Sequence, residues 1–249
     1  MMALLCIEPP QSLSDSNSIR DEKVKVLKSV KRFTTAQAIK DSAIRARYSE
    51  GSVNGEKRLS YKDLDGVSED STTETLACLR LEIDNWRWSG VPIYVRAGKS
   101  LPKRATQILV YFKKAPGSLL SGVESKELSQ NVLAIQVQPD EGITLTINSK
   151  PPGPELSVKP VEMDFDYGES FNVALPDAYE RLLLDAMKGD STLFTRDDEI
   201  EQAWEILDPI LSSWENTKDS PLYEYKAGSW GPDEVDDFIG QTGHKWSVF

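Results

Sequence analysis

The chain has 249 residues, 39% of them apolar and 28% charged, the balance of a globular protein rather than a disordered or fibrous one. That length buries roughly 70–75% of the unfolded surface, so one domain over residues 1–249 needs no disulfide or metal to hold its core. Asp plus Glu outnumber Lys plus Arg by 40 to 29; the net charge of −11 repels phosphate backbones and anionic lipid, which sets nucleic-acid and membrane partners aside.

No apolar run approaches the ~20 residues of a membrane-spanning helix. The opening MMALLCIEPP lacks a positive leading region and reaches Pro9 and Pro10 at once, so it does not read as a signal peptide. It reads as the last turns of a helix whose beginning lies upstream. Cys6 and Cys78 are too few for a disulfide framework and read as free thiols in a reducing cytosol. The single histidine, His244, stands in a C-terminal tail expected to fray, a poor place for a general base. Catalysis by this chain alone would therefore rest on carboxylates, Lys or Tyr.

Cap residues over Ser14–Ser18 and the spacing of Val24, Leu27 and Val30 predict a helix. Residues 54–70 are polar and rich in Gly, Asp and Ser, and read as a long loop. From Thr73 the period becomes two, with Thr73, Thr75, Ala77, Leu79, Leu81 and Ile83 on one face, which predicts a strand buried on one side. Further strands are predicted over residues 93–96, 106–113, 132–138, 143–149 and 158–165. Pro139 to Gly142 is a hairpin turn in which the glycine is expected to supply an unusual dihedral. Pro176 and Asp177 open a helix that Gly189 ends. Asp197, Asp198 and Glu199 open another, with Pro209 expected to kink it. A last short helix runs from Pro232 to about Ile239. Strands on short connections between terminal helices predict an α+β fold, with a large, mainly antiparallel sheet and helices packed on one face and at the ends.

No G-x-G-x-x-G is present, so the sequence offers no dinucleotide turn. Gly98-Lys99-Ser100 resembles the end of a phosphate-binding loop, but Ile93 stands where the earlier glycine belongs and Leu101-Pro102 argues against a following helix. Arg96, Lys99, Lys103 and Arg104 nevertheless form a cationic corner of the kind that takes a sugar or coenzyme phosphate. On charge pattern alone a solvated basic loop is the better explanation of them. Asp197 to Glu199 suit helix capping at least as well as metal binding. The six tryptophans read as core or interface anchors.

Five long segments together resemble the C-terminal half of glucose-6-phosphate dehydrogenase. They are Arg20–Val30 (RDEKVKVLKSV), Asp70–Ile108 (DSTTET, then DNWRWSGVPIYVRAGKSLPKRATQI), Val137–Ile143 (VQPDEGI), Leu175–Trp204 and Pro221–Pro232 (PLYEYKAGSWGP). They occur in the family's order and span nearly the whole chain. The resemblance implies a β+α domain carrying a homodimer interface through its sheet, within an enzyme that oxidises glucose 6-phosphate with NADP in the cytoplasm. It also implies that the coenzyme domain, a His-Tyr-Leu-Gly-Lys phosphate motif and the base histidine all lie upstream, leaving the isolated chain inactive. Lys99 and Arg104 correspond to the cations this domain lends to the site, Lys99 facing the sugar phosphate and Arg104 facing substrate or coenzyme. Gln138 corresponds to a third substrate-side position.

Some members hold a second, structural NADP with basic residues, at positions that here are Ala105, Leu109, Gln136 and Thr146. None can pair a phosphate as a cation would, so no such site is expected. The alternative reading is a stand-alone, non-catalytic module that binds a sugar phosphate or a protein.

Overall fold

A computed structural model describes residues 1–114, 128–154, 157–172, 178–216 and 220–247. It divides into two compact units, one formed by Met1–Lys103 with Leu182–Phe249 and the other by Arg104–Arg181.

The first unit opens with helices α1 (Met2–Cys6), α2 (Ser16–Lys28) and α3 (Ala36–Ser42). Strands β1 (Ala43–Ser49), β2 (Gly51–Val53) and β3 (Glu56–Arg58) follow, then a 3-10 turn at Tyr61–Asp63 and strands β4 (Leu76–Glu82) and β5 (Pro92–Gly98). The second unit holds β6 (Thr106–Tyr111), β7 (Val132–Gln138), β8 (Gly142–Ser149), β9 (Lys159–Asp166) and α4 (Tyr167–Phe171). Helix α5 (Ala178–Lys188) carries the chain from the second unit back to the first, which is completed by α6 (Asp197–Asn216), β10 (Leu222–Lys226) and α7 (Asp233–Gly240). The α+β class is as predicted. The strands are shared between two four-stranded sheets, β10-β1-β4-β5 and β6-β7-β8-β9, with β2 and β3 as a separate hairpin.

Helix α2 forms where the capping signal places it: Asp15 accepts from the Asn17 N–H at 3.0 Å and the Ser18 hydroxyl at 2.8 Å. Its apolar stripe packs Val26, Leu27 and nearby Val30 against Leu81, Ile83 and Ile206. Its polar side ties down the segment before α6. Arg20 donates to the Phe194 carbonyl at 2.9 Å and to the Ser191 carbonyl. Lys23 lies 2.7 Å from Glu199, and Arg196 bridges Asp21 and Asp198 at 2.7 Å each. The acidic start of α6 is therefore both favoured by the helix dipole and held by ion pairs.

The predicted one-sided strand is covered on both sides. Ala77, Leu79, Leu81 and Ile83 face α2, α3 and α6. Leu76 and Cys78 are buried on the other face, with Ala46, Tyr48, Tyr225, Val235 and Phe238. Helix α7 supplies that second layer, which the prediction of helices on one face did not include. Periodicity had missed β1 and β10, which pair in parallel from Arg45↔Leu222 to Ser49↔Lys226. Arg45 and Arg47 alternate with apolar residues and look like outward charges, yet both are buried. Arg45 donates to the carbonyls of Thr72 and Ser220 and lies over the Trp214 ring, and Arg47 donates to Ser71 at 2.7 Å. These loop carbonyls supply the buried guanidiniums with the partners they need away from water.

Residues 54–70 are not uniformly irregular. They contain the turn between β2 and β3 and the 3-10 turn, whose Tyr61 ring meets Tyr48 edge-on at 5.9 Å. Gly142 is required for a different reason than predicted: it opens β8, and a Cβ there would lie 2.7 Å from the Phe165 carbonyl oxygen. Helix α6 runs through Pro209. Pro176 and Asp177 lie outside the described residues.

The second sheet is antiparallel throughout. Its register builds two cross-strand rows on one face, Ile108-Ile135-Ile143-Phe165 and Val110-Leu133-Leu145-Met163. No described residue of this unit is buried, and Met163 is 50% exposed.

Candidate functional site

Strand β5 ends at Gly98, and Lys99 and Ser100 form a bend, with Ser100 at φ 48°. No helix follows, so the resemblance to a phosphate-binding loop stops at three residues. Lys99 is exposed, and its ammonium has no hydrogen-bond or ion-pair partner among the described residues. Its backbone is held on both sides. The Lys99 N–H donates to the Thr75 carbonyl at 2.8 Å, and the Tyr225 hydroxyl donates to the Lys99 carbonyl at 2.7 Å. One residue on, the Gly228 N–H donates to the Ser100 carbonyl at 2.8 Å.

The four cations of the basic corner differ in what they do. Arg96 turns inward: its guanidinium lies 5.1 Å from the Trp230 ring centre and 4.6 Å from that of Trp246 and donates to the Trp230 carbonyl. Burial lowers its pKa against the opposing pull of Asp236, and the two rings face the cation. Lys103 is engaged as well. Lys99 remains in the first unit as the cation presented to solvent on a fixed backbone.

Arg104 and Gln138 belong to the second unit. Arg104 is exposed just before β6. Gln138 pairs with Thr106 across a bulge and donates to its hydroxyl at 2.7 Å, while its carbonyl accepts from the Gln136 amide. The pairing places Gln138 beside a residue two positions from Arg104, so both sit at one end of this sheet. Leu109, Gln136 and Thr146 lie on the face opposite the apolar rows, where the register sets Asp164 and Glu162 beside Thr144 and Thr146. Leu109, Gln136 and Thr146 themselves offer no cation to a phosphate.

His244 is seated rather than frayed. Its Nδ1 is 3.0 Å from the Thr242 hydroxyl, and its ring lies 5.8 Å from that of Tyr94. Trp246 donates to the Val235 carbonyl at 3.1 Å. The aromatic contacts around Tyr94 hold the C-terminal segment down. Sequence reasoning did not single out Thr75 or Tyr225. Both lie inside the segments that carry the family resemblance, which was the one signal available for them.

The family model described as "Glucose-6-phosphate dehydrogenase, C-terminal domain" matches residues 1–247. Glucose-6-phosphate 1-dehydrogenase of Aggregatibacter actinomycetemcomitans is 43% identical over 246 residues, covering 99% of this chain and 48% of the relative. An enzyme of the same name from Treponema pallidum is 42% identical over 247 residues, covering 99% of this chain and 47% of its own. Among solved structures, a glucose-6-phosphate dehydrogenase in complex with its substrate glucose-6-phosphate superposes with a TM-score of 0.84 at 36% identity, over 99% of this chain and 49% of that one. The Mycobacterium avium enzyme gives 0.79 at 32% identity, over 100% of this chain and 48% of its own. The chain spans about half the length of the curated relatives it matches. Its strands, its terminal helices and nearly every residue from first to last place it in one family: the chain belongs to the C-terminal domains of glucose-6-phosphate dehydrogenase.

Proposed function

We propose that this chain is the substrate-side and dimer-forming domain of an enzyme that oxidises glucose 6-phosphate to 6-phosphogluconolactone and passes the hydride to NADP. The observation that carries the reading is Lys99, an exposed cation on a backbone pinned at both peptide planes, in a chain matched to the family from end to end. Hydride transfer from an alcohol needs a base for the hydroxyl proton and a coenzyme held against the reacting carbon. The lone histidine is engaged by Thr242 and Tyr94, and the sequence holds no G-x-G-x-x-G to take a pyrophosphate. The part played by this domain is to hold the sugar phosphate: by correspondence with the family, Lys99 of the first unit is assigned to the phosphate or a sugar hydroxyl, and in the second unit Arg104 is assigned to substrate or coenzyme and Gln138 to the substrate. Two buried thiols in separate clusters accord with a cytoplasmic enzyme. No observation favours the stand-alone binding module.

In an enzyme carrying this domain, Lys99→Ala raises KM for glucose 6-phosphate. Loss of a charge-assisted hydrogen bond costs roughly 1.5–3 kcal/mol, about ten- to more than a hundredfold. Arg104→Ala assigns its ligand by whether the penalty falls on sugar or coenzyme. The purified 249-residue chain is expected to show no turnover. Unchanged kinetics in Lys99→Ala would return that residue to a solvated loop.

The dimer rests on the second sheet. Its two apolar rows leave a contiguous surface that a self-complementary partner would cover, and a second copy meets that need by symmetry.

A further inference from the structure

The hydrogen bonds behind Lys99 form a directed chain. The Tyr48 N–H donates to the Thr75 hydroxyl oxygen at 2.9 Å, and the Thr75 and Tyr225 hydroxyls are 3.1 Å apart. The Tyr225 hydroxyl reaches two carbonyls, that of Lys99 at 2.7 Å and that of Thr75 at 3.3 Å; the shorter contact takes its proton, and the Thr75 proton then points to Tyr225. Every bond in the sequence Tyr48, Thr75, Tyr225, Lys99 is thereby donated in one direction, and each polarises the next. Tyr225 is 3% exposed. Burial pushes its hydroxyl up to about 12, which keeps the proton in place across the physiological range.

The Thr75 carbonyl fixes the peptide plane before the Lys99 Cα, and the Tyr225 hydroxyl fixes the plane after it. With both planes fixed, the direction in which the side chain leaves the backbone is fixed too. We propose that Tyr225 is a positioning residue for the substrate cation: with Thr75 behind it, its hydroxyl holds the Lys99 backbone so that the ammonium is presented to the phosphate or hydroxyls of a sugar phosphate. This rests on the assignment of Lys99 to the sugar phosphate. A lysine on a free loop would have to be ordered when ligand binds, and ordering one such side chain and its loop costs roughly two- to tenfold in affinity.

The test titrates glucose 6-phosphate into the isotope-labelled 249-residue chain and follows backbone resonances, for the parent, Lys99→Ala, Tyr225→Phe and the double variant. Tyr225→Phe keeps the ring in the core and removes only the hydroxyl. The expected result is weaker binding in Tyr225→Phe by roughly two- to tenfold, faster amide exchange at Lys99, and unchanged exchange at Leu79 in β4. In the Lys99→Ala background the Tyr225→Phe penalty disappears, because there is no ammonium left to position. A purely structural role would instead add its penalty in both backgrounds and overturn the proposal, as would unaltered affinity or unaltered Lys99 exchange in Tyr225→Phe. If the parent does not bind, or if Lys99→Ala binds as tightly as the parent, the assignment of Lys99 fails, while the exchange data still report whether Tyr225 holds the backbone. Should Tyr225→Phe fail to fold, Thr75→Val removes the preceding hydroxyl and is read by the same criteria.

Discussion

Gly228 offers a direct check on how tightly the segment behind Lys99 is built. It has φ 89°, and a Cβ added there would sit 2.0 Å from the Ser52 carbonyl oxygen. Gly228→Ala therefore meets two costs. The left-handed backbone conformation disfavours a side chain by about 1–2 kcal/mol. The overlap falls roughly 1.5 Å short of ordinary contact, and its neighbour is backbone, which cannot rotate away. A shift of that size breaks the bonds from the Gly228 N–H to the Ser100 carbonyl, 2.8 Å, and from the Ser52 N–H to the Ala227 carbonyl, 3.1 Å. At about 1 kcal/mol net for each bond, the total loss is about 3–4 kcal/mol. For a chain of this size that lowers Tm by about 10 °C. Urea unfolding followed by tryptophan fluorescence reads the change, since Trp230, two residues on from Gly228, stacks on Arg96 as Trp246 does. A variant within about 0.5 kcal/mol of the parent would show that this turn is not closely packed and that the Lys99 bend is not held from this side.

Stability is expected to fall on the alkaline side. Burial pushes the Cys78 thiol up to about 12, Cys6 to about 11 and the Tyr225 hydroxyl to about 12, so the folded chain keeps these protons where the unfolded chain releases them. Stability is therefore level below the unfolded thiol value of 9.0 and declines as pH rises from there toward the folded values; a urea midpoint that stays flat across that window would contradict this. On the second sheet, Leu145→Glu with Met163→Glu puts two charges at adjacent, paired positions of an apolar row. Sedimentation is expected to show a dimer for the parent and a monomer for the variant, and a parent that is monomeric at micromolar concentration would remove the proposed interface.

Much of the secondary structure is legible locally. The cap and stripe of α2, the acidic start of α6, the ends of α7 and the hairpin joining β7 and β8 follow from neighbours within a few residues. Such signals require only that a side chain know its own helix face or strand side. The chemistry of Lys99 was legible in a weaker way: charge pattern alone could not separate it from Arg96, and the family resemblance was needed to single it out. What decides between the two is where each cation finds a partner. Arg96 meets two rings brought from distant parts of the chain, and Lys99 meets none among the described residues.

The sequence by itself determined the α+β class, most helices, most strands and the family. Tertiary structure alone decided the pairing of β1 with β10, the burial of Arg45 and Arg47, the division into two sheets and the chain of hydroxyls behind Lys99. The reason is the same in each case. A strand covered on both faces loses the alternation that marks a half-buried one, and a parallel partner far along the chain leaves no turn between the two to read. An arginine or a tyrosine declares its polarity in the sequence, but whether that polarity faces water, a loop carbonyl or the backbone of a binding lysine depends on which distant segment folds against it.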